Sequence, residues 1–336
     1  MLAAFITALA GPELGSAEAA VLKEMRPCGV ILFARNVCDP EQTRRLTDAV
    51  RDAVNADILV LIDQEGGRVR RLRPPHWREL PPASAYGQLY ADDPRQACQT
   101  ARLAARLTAA DLRAAGINTN CAPVLDVPVA GSHDIIGDRA YGADPRQVSA
   151  LGRAVAEGYM AGGVLPVIKH IPGHGRATKD SHFDLPVVSA ARADLASSDF
   201  AAFRDLAHLP AAMTAHVVFA AIDAGQPAST SAWVTAEIIR GAIGFDGLLM
   251  SDDLGMKALS GSIGDRAKAV IEAGSDVALV CSGDLADTEA VADVVPALEG
   301  AALRRFERAR AVFGQQQPFD VAEAEAGLAL ALRTHA

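Results

Sequence analysis

Eight short apolar runs punctuate the chain, at residues 2–10, 29–34, 57–63, 117–123, 164–170, 211–219, 247–252 and 276–282, each followed by a stretch with helical character. The runs are apolar almost without a break rather than at every second position, which suits strands covered on both faces of a parallel sheet. The stretches between them carry the helical period. Leu103, Leu107, Ala110 and Ala114 share one face of residues 93–116, and Val148, Leu151, Val155 and Tyr159 share one face of residues 144–160. Asp39-Pro40, Asp93-Pro94 and Asp144-Pro145 each set a capping carboxylate before a proline suited to the first helical position. Gly116, Gly162 and Gly274 stand where such helices should stop. Eight strand–helix alternations predict an α/β protein, a single-domain (β/α)8 TIM barrel, with an open doubly wound sheet as the alternative. Further helices over residues 285–297 and 299–314, and a helical tail after Pro318-Phe319-Asp320, complete one domain spanning 1–336.

The chain's 336 residues fit one barrel of roughly 250 residues plus insertions. No apolar segment approaches the ~20 residues that cross a bilayer, so a soluble protein is expected. Lys and Arg total 32 against 41 Asp and Glu, a formal charge of -9, and no basic run appears. Neither nucleic acid nor an anionic membrane is expected as a partner. Cys28, Cys38, Cys98, Cys121 and Cys281 are odd in number and scattered, which points to reduced thiols and a reducing compartment. Residues 2–11 imitate a signal-peptide cleavage pattern, but they lack a positive leader and are needed as the first strand.

In parallel barrels the chemistry collects at the carboxyl ends of the strands. The third run ends in Asp63-Gln64-Glu65-Gly66-Gly67-Arg68-Val69-Arg70-Arg71, where the glycines predict a tight turn presenting the Asp63 carboxylate with the Arg71 guanidinium. Glu65 and Arg68 are expected to form a structural ion pair. The loop after the fourth run holds Ile136-Gly137-Asp138-Arg139. The fifth run leads into Lys169-His170-Ile171-Pro172-Gly173-His174-Gly175, with Asp180-Ser181-His182 soon after. His170 and His174 have the spacing of a helical metal pair, but Pro172 and Gly173 forbid that helix. The sixth run carries Thr214-Ala215-His216, either a core imidazole or a pocket wall. The seventh ends in Ser251-Asp252-Asp253, of which at most one carboxylate should face the barrel mouth. His76, His133, His208 and His335 have no such company and count as surface or structural.

A strand-end carboxylate, a Lys-His pair and an Asp-x-His element together suggest a nucleophile and a proton donor. Glycoside hydrolysis with retention needs those two parts, usually two carboxyl groups flanking the bond. Here His182, oriented by Asp180, would stand in for the second carboxyl.

The four segments Asp63-Gln-Glu-Gly-Gly-Arg-Val-x-Arg71, Ile136-Gly-x-Arg139, Lys169-His-x-Pro-Gly-His-Gly-x4-Asp180-Ser-His182 and Ser251-Asp-Asp-Leu254 resemble the motif set of the bacterial β-N-acetylglucosaminidases of glycoside hydrolase family three, the NagZ type. The resemblance runs in order over roughly residues 29–260. It implies removal of non-reducing terminal N-acetylglucosamine from muropeptide fragments, such as GlcNAc-anhydroMurNAc and its peptides, in cytoplasmic cell-wall recycling and in the pool that induces β-lactamase. It implies Asp252 as nucleophile and His182 as acid/base with Asp180 as dyad partner. Asp63, Arg71, Arg139, Lys169 and His170 fall on sugar-binding positions; His174 falls within the motif too, with a loop-organising or pocket role expected, and His216, from its place on the sixth run, is a further candidate substrate-binding residue. It implies neither metal nor cofactor. Ile171 stands where Phe is usual, and Gly255-Met256-Lys257 varies the segment after Leu254. With no second domain after the barrel, the loop over residues 172–186 must complete the site itself. A metal-dependent barrel hydrolase, another exo-glycosidase of the same family such as a β-glucosidase, and an inert sugar sensor are the rival expectations.

Overall fold

The computed structural model describes residues 1–333. Eight strands form a closed parallel barrel: β1 Ala3–Ala8, β2 Pro27–Leu32, β3 Leu59–Ile62, β4 Thr119–Asn120, β5 Leu165–Ile171, β6 Ala211–Thr214, β7 Leu248–Asp253 and β8 Val277–Val280. Consecutive strands are neighbours, and β8 closes onto β1 through the pairs Phe5–Ala278 and Thr7–Val280. The predicted TIM barrel is therefore the fold.

Because strand side chains alternate, each strand divides its apolar residues between two cores. Ile6, Leu61, Val167, Met213, Met250 and Leu279 belong to one cluster, which includes Phe306 and Ala309 of the helix Gly300–Arg310. That helix sits at the amino ends of the strands, where the Ala4 N–H donates to Pro296 O and the Leu298 N–H to Leu2 O. The other set, including Val60, Ile62, Ile168 and Leu249, packs outward against the helices. The amino end is plugged with apolar side chains, and the carboxyl end is left for polar ones.

The expected caps form. Asp39 accepts from Gln42 N, Asp93 from Arg95 N and Gln96 N, and Asp144 from Arg146 N. Gly116 and Gly274 follow their helices at φ +78° and +101°. At the end of Pro145–Ala161, however, Gly162 keeps a right-handed conformation and Gly163, at φ +70°, makes the left-handed step. Val148, Leu151, Val155 and Tyr159 are buried as predicted, but the face of Pro94–Ala114 is displaced. Leu107 is buried as predicted, together with Leu112, but most of the buried face is made of small residues, including Ala101, Ala104, Ala105, Thr108 and Ala109, whereas Ala114 is exposed. The reason is close approach: a Cβ at Gly158 would come within 2.4 Å of Arg102 O, and one at Gly162 within 2.3 Å of the Ala109 Cβ. Alanines rather than leucines make that seam.

The run at 211–219 is not one strand. β6 ends at Thr214, the chain bends through Ala215-His216-Val217, and Val218–Phe219 pairs instead with Val187–Val188 in a small side sheet. The run at 29–34 is also shifted, since β2 starts at Pro27 and residues 34–36 turn into a short 3-10 helix. The tail helix is present as Val321–Arg333; Ala324 and Leu328 are buried, and Glu325 pairs with Arg78 at 2.8 Å. His335 lies outside the described residues. Among those described, no helix is long and apolar enough to cross a membrane.

Candidate active site

The carboxyl end of the barrel opens into a cavity of about 380 Å³. Asp63, Arg71, Arg139, Lys169, His170, His174, His182 and Asp252 all line it, although they come from four separate stretches of chain. Phe33, Met213 and Met256 give it apolar walls.

Its floor is an ion cluster centred on Lys169, which leaves β5 almost fully buried. Lys169 Nζ lies 2.8 Å from Asp63 Oδ1 and 2.7 Å from Glu65 Oε1. Arg71 holds the other Asp63 oxygen at 3.1 Å, and Arg139 grips Glu65 with two parallel contacts of 2.8 Å. Such forked guanidinium–carboxylate pairs fix geometry as well as charge. Burial alone would raise the two acids, but Lys169 first, then Arg71 for Asp63 and Arg139 for Glu65, outweigh it and hold both below the usual carboxylate range. Burial likewise opposes the Lys169 charge, and the two carboxylates override it, pushing its pKa up.

The expected Glu65–Arg68 pair is absent. Arg68 instead reaches Asp138 at 2.7 Å and the carbonyls of Asp134 and Ile135, bracing the loop that carries Arg139. The turn geometry explains the difference: Gly66 and Gly67, at φ +98° and +53°, reverse the chain between the two side chains. The Glu65 N–H and Val69 O close that turn at 2.9 Å.

At the end of β5 a residue that sequence reasoning missed organises both histidines. Asp126, fully buried in the loop after β4, accepts the His174 N–H at 2.6 Å and the His170 N–H at 3.3 Å on one oxygen. Its other oxygen lies 2.7 Å from His170 Nδ1. Burial pushes the Asp126 carboxyl up and His170 more than offsets it, so the group stays below the ordinary range. The only trace in the sequence was an apolar Val124-Leu125 ending in a carboxylate. His174 Nε2 is 3.0 Å from the Ser181 hydroxyl, and burial lowers its pKa to about 4, which keeps the imidazole neutral.

That contact ties the strand end to the loop bearing Asp180 and His182. Asp180 Oδ1 lies 2.7 Å from His182 Nδ1 and accepts the His182 N–H at 2.9 Å, so the carboxylate fixes one ring nitrogen and leaves Nε2 unengaged. The loop rests on the segment after β7 through Lys257 N to His182 O and Ala258 N to Ser181 O, at 3.4 and 3.3 Å. Asp180 itself does not line the cavity.

Asp252 and Asp253 both line the cavity, against the expectation of one. Their surroundings differ. Asp253 Oδ1 accepts the N–H groups of Cys281 and Gly255, and burial raises its pKa. Among the described residues Asp252 accepts only the Asp253 N–H, at 2.8 Å; burial opposes its charge, but His170 and then His216 hold it below the usual range. His216 is fully buried behind the wall rather than in it: Nδ1 meets the Ser229 hydroxyl at 2.7 Å and Nε2 the Asp253 carbonyl at 3.0 Å. It can act on a bound molecule only through Asp252 and Asp253. The arrangement is thus an ionised, nearly unpaired carboxylate and a carboxylate-oriented imidazole opening on one cavity above a fixed array of charged hydrogen-bonding groups.

Residues 6–312 match the glycosyl hydrolase family 3 N-terminal domain. A β-hexosaminidase from Alkalilimnicola ehrlichii is 41% identical over 286 residues, 84% of this chain and 81% of its own. One from Thiobacillus denitrificans is 41% identical over 284 residues, 83% of this chain and 78% of its own. The crystal structure of NagZ from Neisseria gonorrhoeae in complex with N-trifluoroacetyl-D-glucosamine is 30% identical, with a TM-score of 0.88 over 98% of both chains.

Proposed function

The chain belongs to glycosyl hydrolase family 3 and is a β-hexosaminidase of that family, and on that premise we propose that it is a retaining exo-enzyme releasing non-reducing terminal N-acetylglucosamine from muropeptide fragments. The observation that carries this reading is that Asp252 and His182 line the same cavity, one ionised and nearly unpaired, the other oriented by Asp180.

In the proposed first step an Asp252 oxygen bonds to the anomeric carbon as the bond to the aglycone oxygen breaks, and the proton on His182 Nε2 passes to that oxygen. In the second step His182 Nε2 takes a proton from water while the water oxygen bonds to the same carbon and Asp252 departs. Two inversions give net retention, and both side chains return to their starting forms. Asp63, Arg71, Arg139, Lys169 and His170 bind the sugar hydroxyls and the acetamido group; because Lys169 and Arg71 already hold Asp63, Glu65 holds Arg139 and Asp126 holds His170, little reorganisation is needed on binding. The ligand in the gonococcal relative, an N-acylated glucosamine, supports a pocket for that sugar class. We place the reaction in cytoplasmic peptidoglycan recycling, consistent with the reduced cysteines.

Turnover of nitrophenyl β-N-acetylglucosaminide tests this, with the corresponding glucoside and a chelator as controls. Asp252→Ala loses on the order of 10⁴-fold or more in kcat while remaining folded. A variant with near-normal turnover, faster glucoside cleavage by the wild type, or loss of activity on chelation rejects the reading.

A further inference from the structure

We propose that Phe183 and Lys257 form the aglycone-binding wall of this enzyme and select leaving groups that present a sugar face and an anionic substituent. The inference rests on the glycosidase reading and adds to it two residues to which that reading gives no role. Phe183 directly follows His182, and Lys257 directly follows Met256; His182 and Met256 both line the cavity. Neither neighbour lines the cavity itself; both are exposed residues directly beside its rim. Phe183 is 72% exposed, unusual for an aromatic side chain, with its ring centroid 6.5 Å from that of His182. Lys257 Nζ stands 6.0 Å from the centre of the Phe183 ring. The two loops are also joined by the Lys257 N–H to His182 O contact.

The chemistry of the site says what lies there. A group that is protonated by His182 as it leaves must sit beside His182, on the side away from the buried floor. Phe183 offers that group a flat apolar face. The charges nearby are otherwise committed: Asp184 pairs with Lys179 at 2.5 Å, Asp180 with His182, and Asp253 with backbone N–H groups. Among the described residues Lys257 has an aromatic ring beside it and no carboxylate partner. An unpaired cation at the mouth of a chain with net charge -9 complements an acidic aglycone.

The test compares kcat/KM for two β-1,4-linked disaccharides, both with N-acetylglucosamine at the non-reducing end, one with a carboxylate on the second sugar and the other with its methyl ester. N-acetylglucosaminyl fluoride, which has no aglycone sugar, serves as reference. Lys257→Met lowers the carboxylate-to-ester ratio about fivefold, the size of an exposed ion pair, and Lys257→Arg restores it. High salt erodes the ratio in the wild type and not in Lys257→Met. Phe183→Ala lowers both disaccharides relative to the fluoride by roughly three- to tenfold. An unchanged ratio in Lys257→Met, or undiminished disaccharide preference in Phe183→Ala, overturns the inference. Wild-type protein that fails to cleave even the fluoride overturns instead the glycosidase reading beneath it.

Discussion

Replacing Asp126 by Asn isolates the contribution of one buried carboxylate with almost no change of shape. In the wild type one oxygen of Asp126 accepts the His174 and His170 N–H groups, and the other faces His170 Nδ1 at 2.7 Å. Asn keeps the first oxygen, so both backbone bonds persist and the loop start is undisturbed. The second oxygen becomes an amide N–H2, which can only donate. His170 can then keep this contact only by accepting at Nδ1, which places a proton on Nε2 and changes what the ring presents to the cavity. The loss is that of one hydrogen bond to a charged group, about 1.5–3 kcal/mol, which corresponds to a roughly 10- to 150-fold fall in kcat/KM. The nitrophenyl assay measures it, with a thermal melt within a few degrees of wild type showing that folding is unaffected. Activity within twofold of wild type would refute the claim that Asp126 sets the His170 ring for substrate.

Two other outcomes follow from the buried charges. Lys169→Met leaves Asp63 and Glu65 facing each other with only Arg71 and Arg139 to balance them; denaturant unfolding should show about 3–5 kcal/mol lost, and a variant as stable as wild type contradicts the network's role. His174, whose pKa is lowered to about 4 by burial against an ordinary value of 6.5, binds its proton more readily when unfolded. Stability from this group is therefore complete above pH 6.5 and lost as pH falls toward 4, by on the order of 3 kcal/mol; His174→Gln should flatten the melting curve against pH in that window, and parallel curves for the two proteins count against it.

What the sequence revealed and what it hid divide along physical lines. The apolar runs and Asp-Pro caps are local, and the barrel built from them has every strand within a few residues of its predicted place. The Lys169-to-His182 stretch was legible because Pro and Gly break the helix there, which left a strand-end loop as its simplest form. Partner choice was not legible. Glu65 bonds across 74 residues to Arg139 rather than to Arg68 three positions away, because the Gly66-Gly67 turn separates the nearer pair. Asp126 escaped notice for the same reason: its partners, His170 and His174, lie 44 and 48 positions on, and nothing near it in the chain is polar enough to draw attention. His216 sits at the bend where an apparently continuous apolar run changes sheets, a break that composition alone does not mark.

The central claim is that Asp252 forms a bond to the sugar. Intact-mass and peptide-mapping analysis after incubation with a 2-fluoro glycosyl fluoride tests it directly, since the fluorine slows breakdown of such an intermediate. The account predicts a mass increase of one fluorosugar, carried by the peptide containing Asp252. A label on any other residue, or the absence of a label from protein that still turns over N-acetylglucosaminides through their own acetamido oxygen, would contradict it.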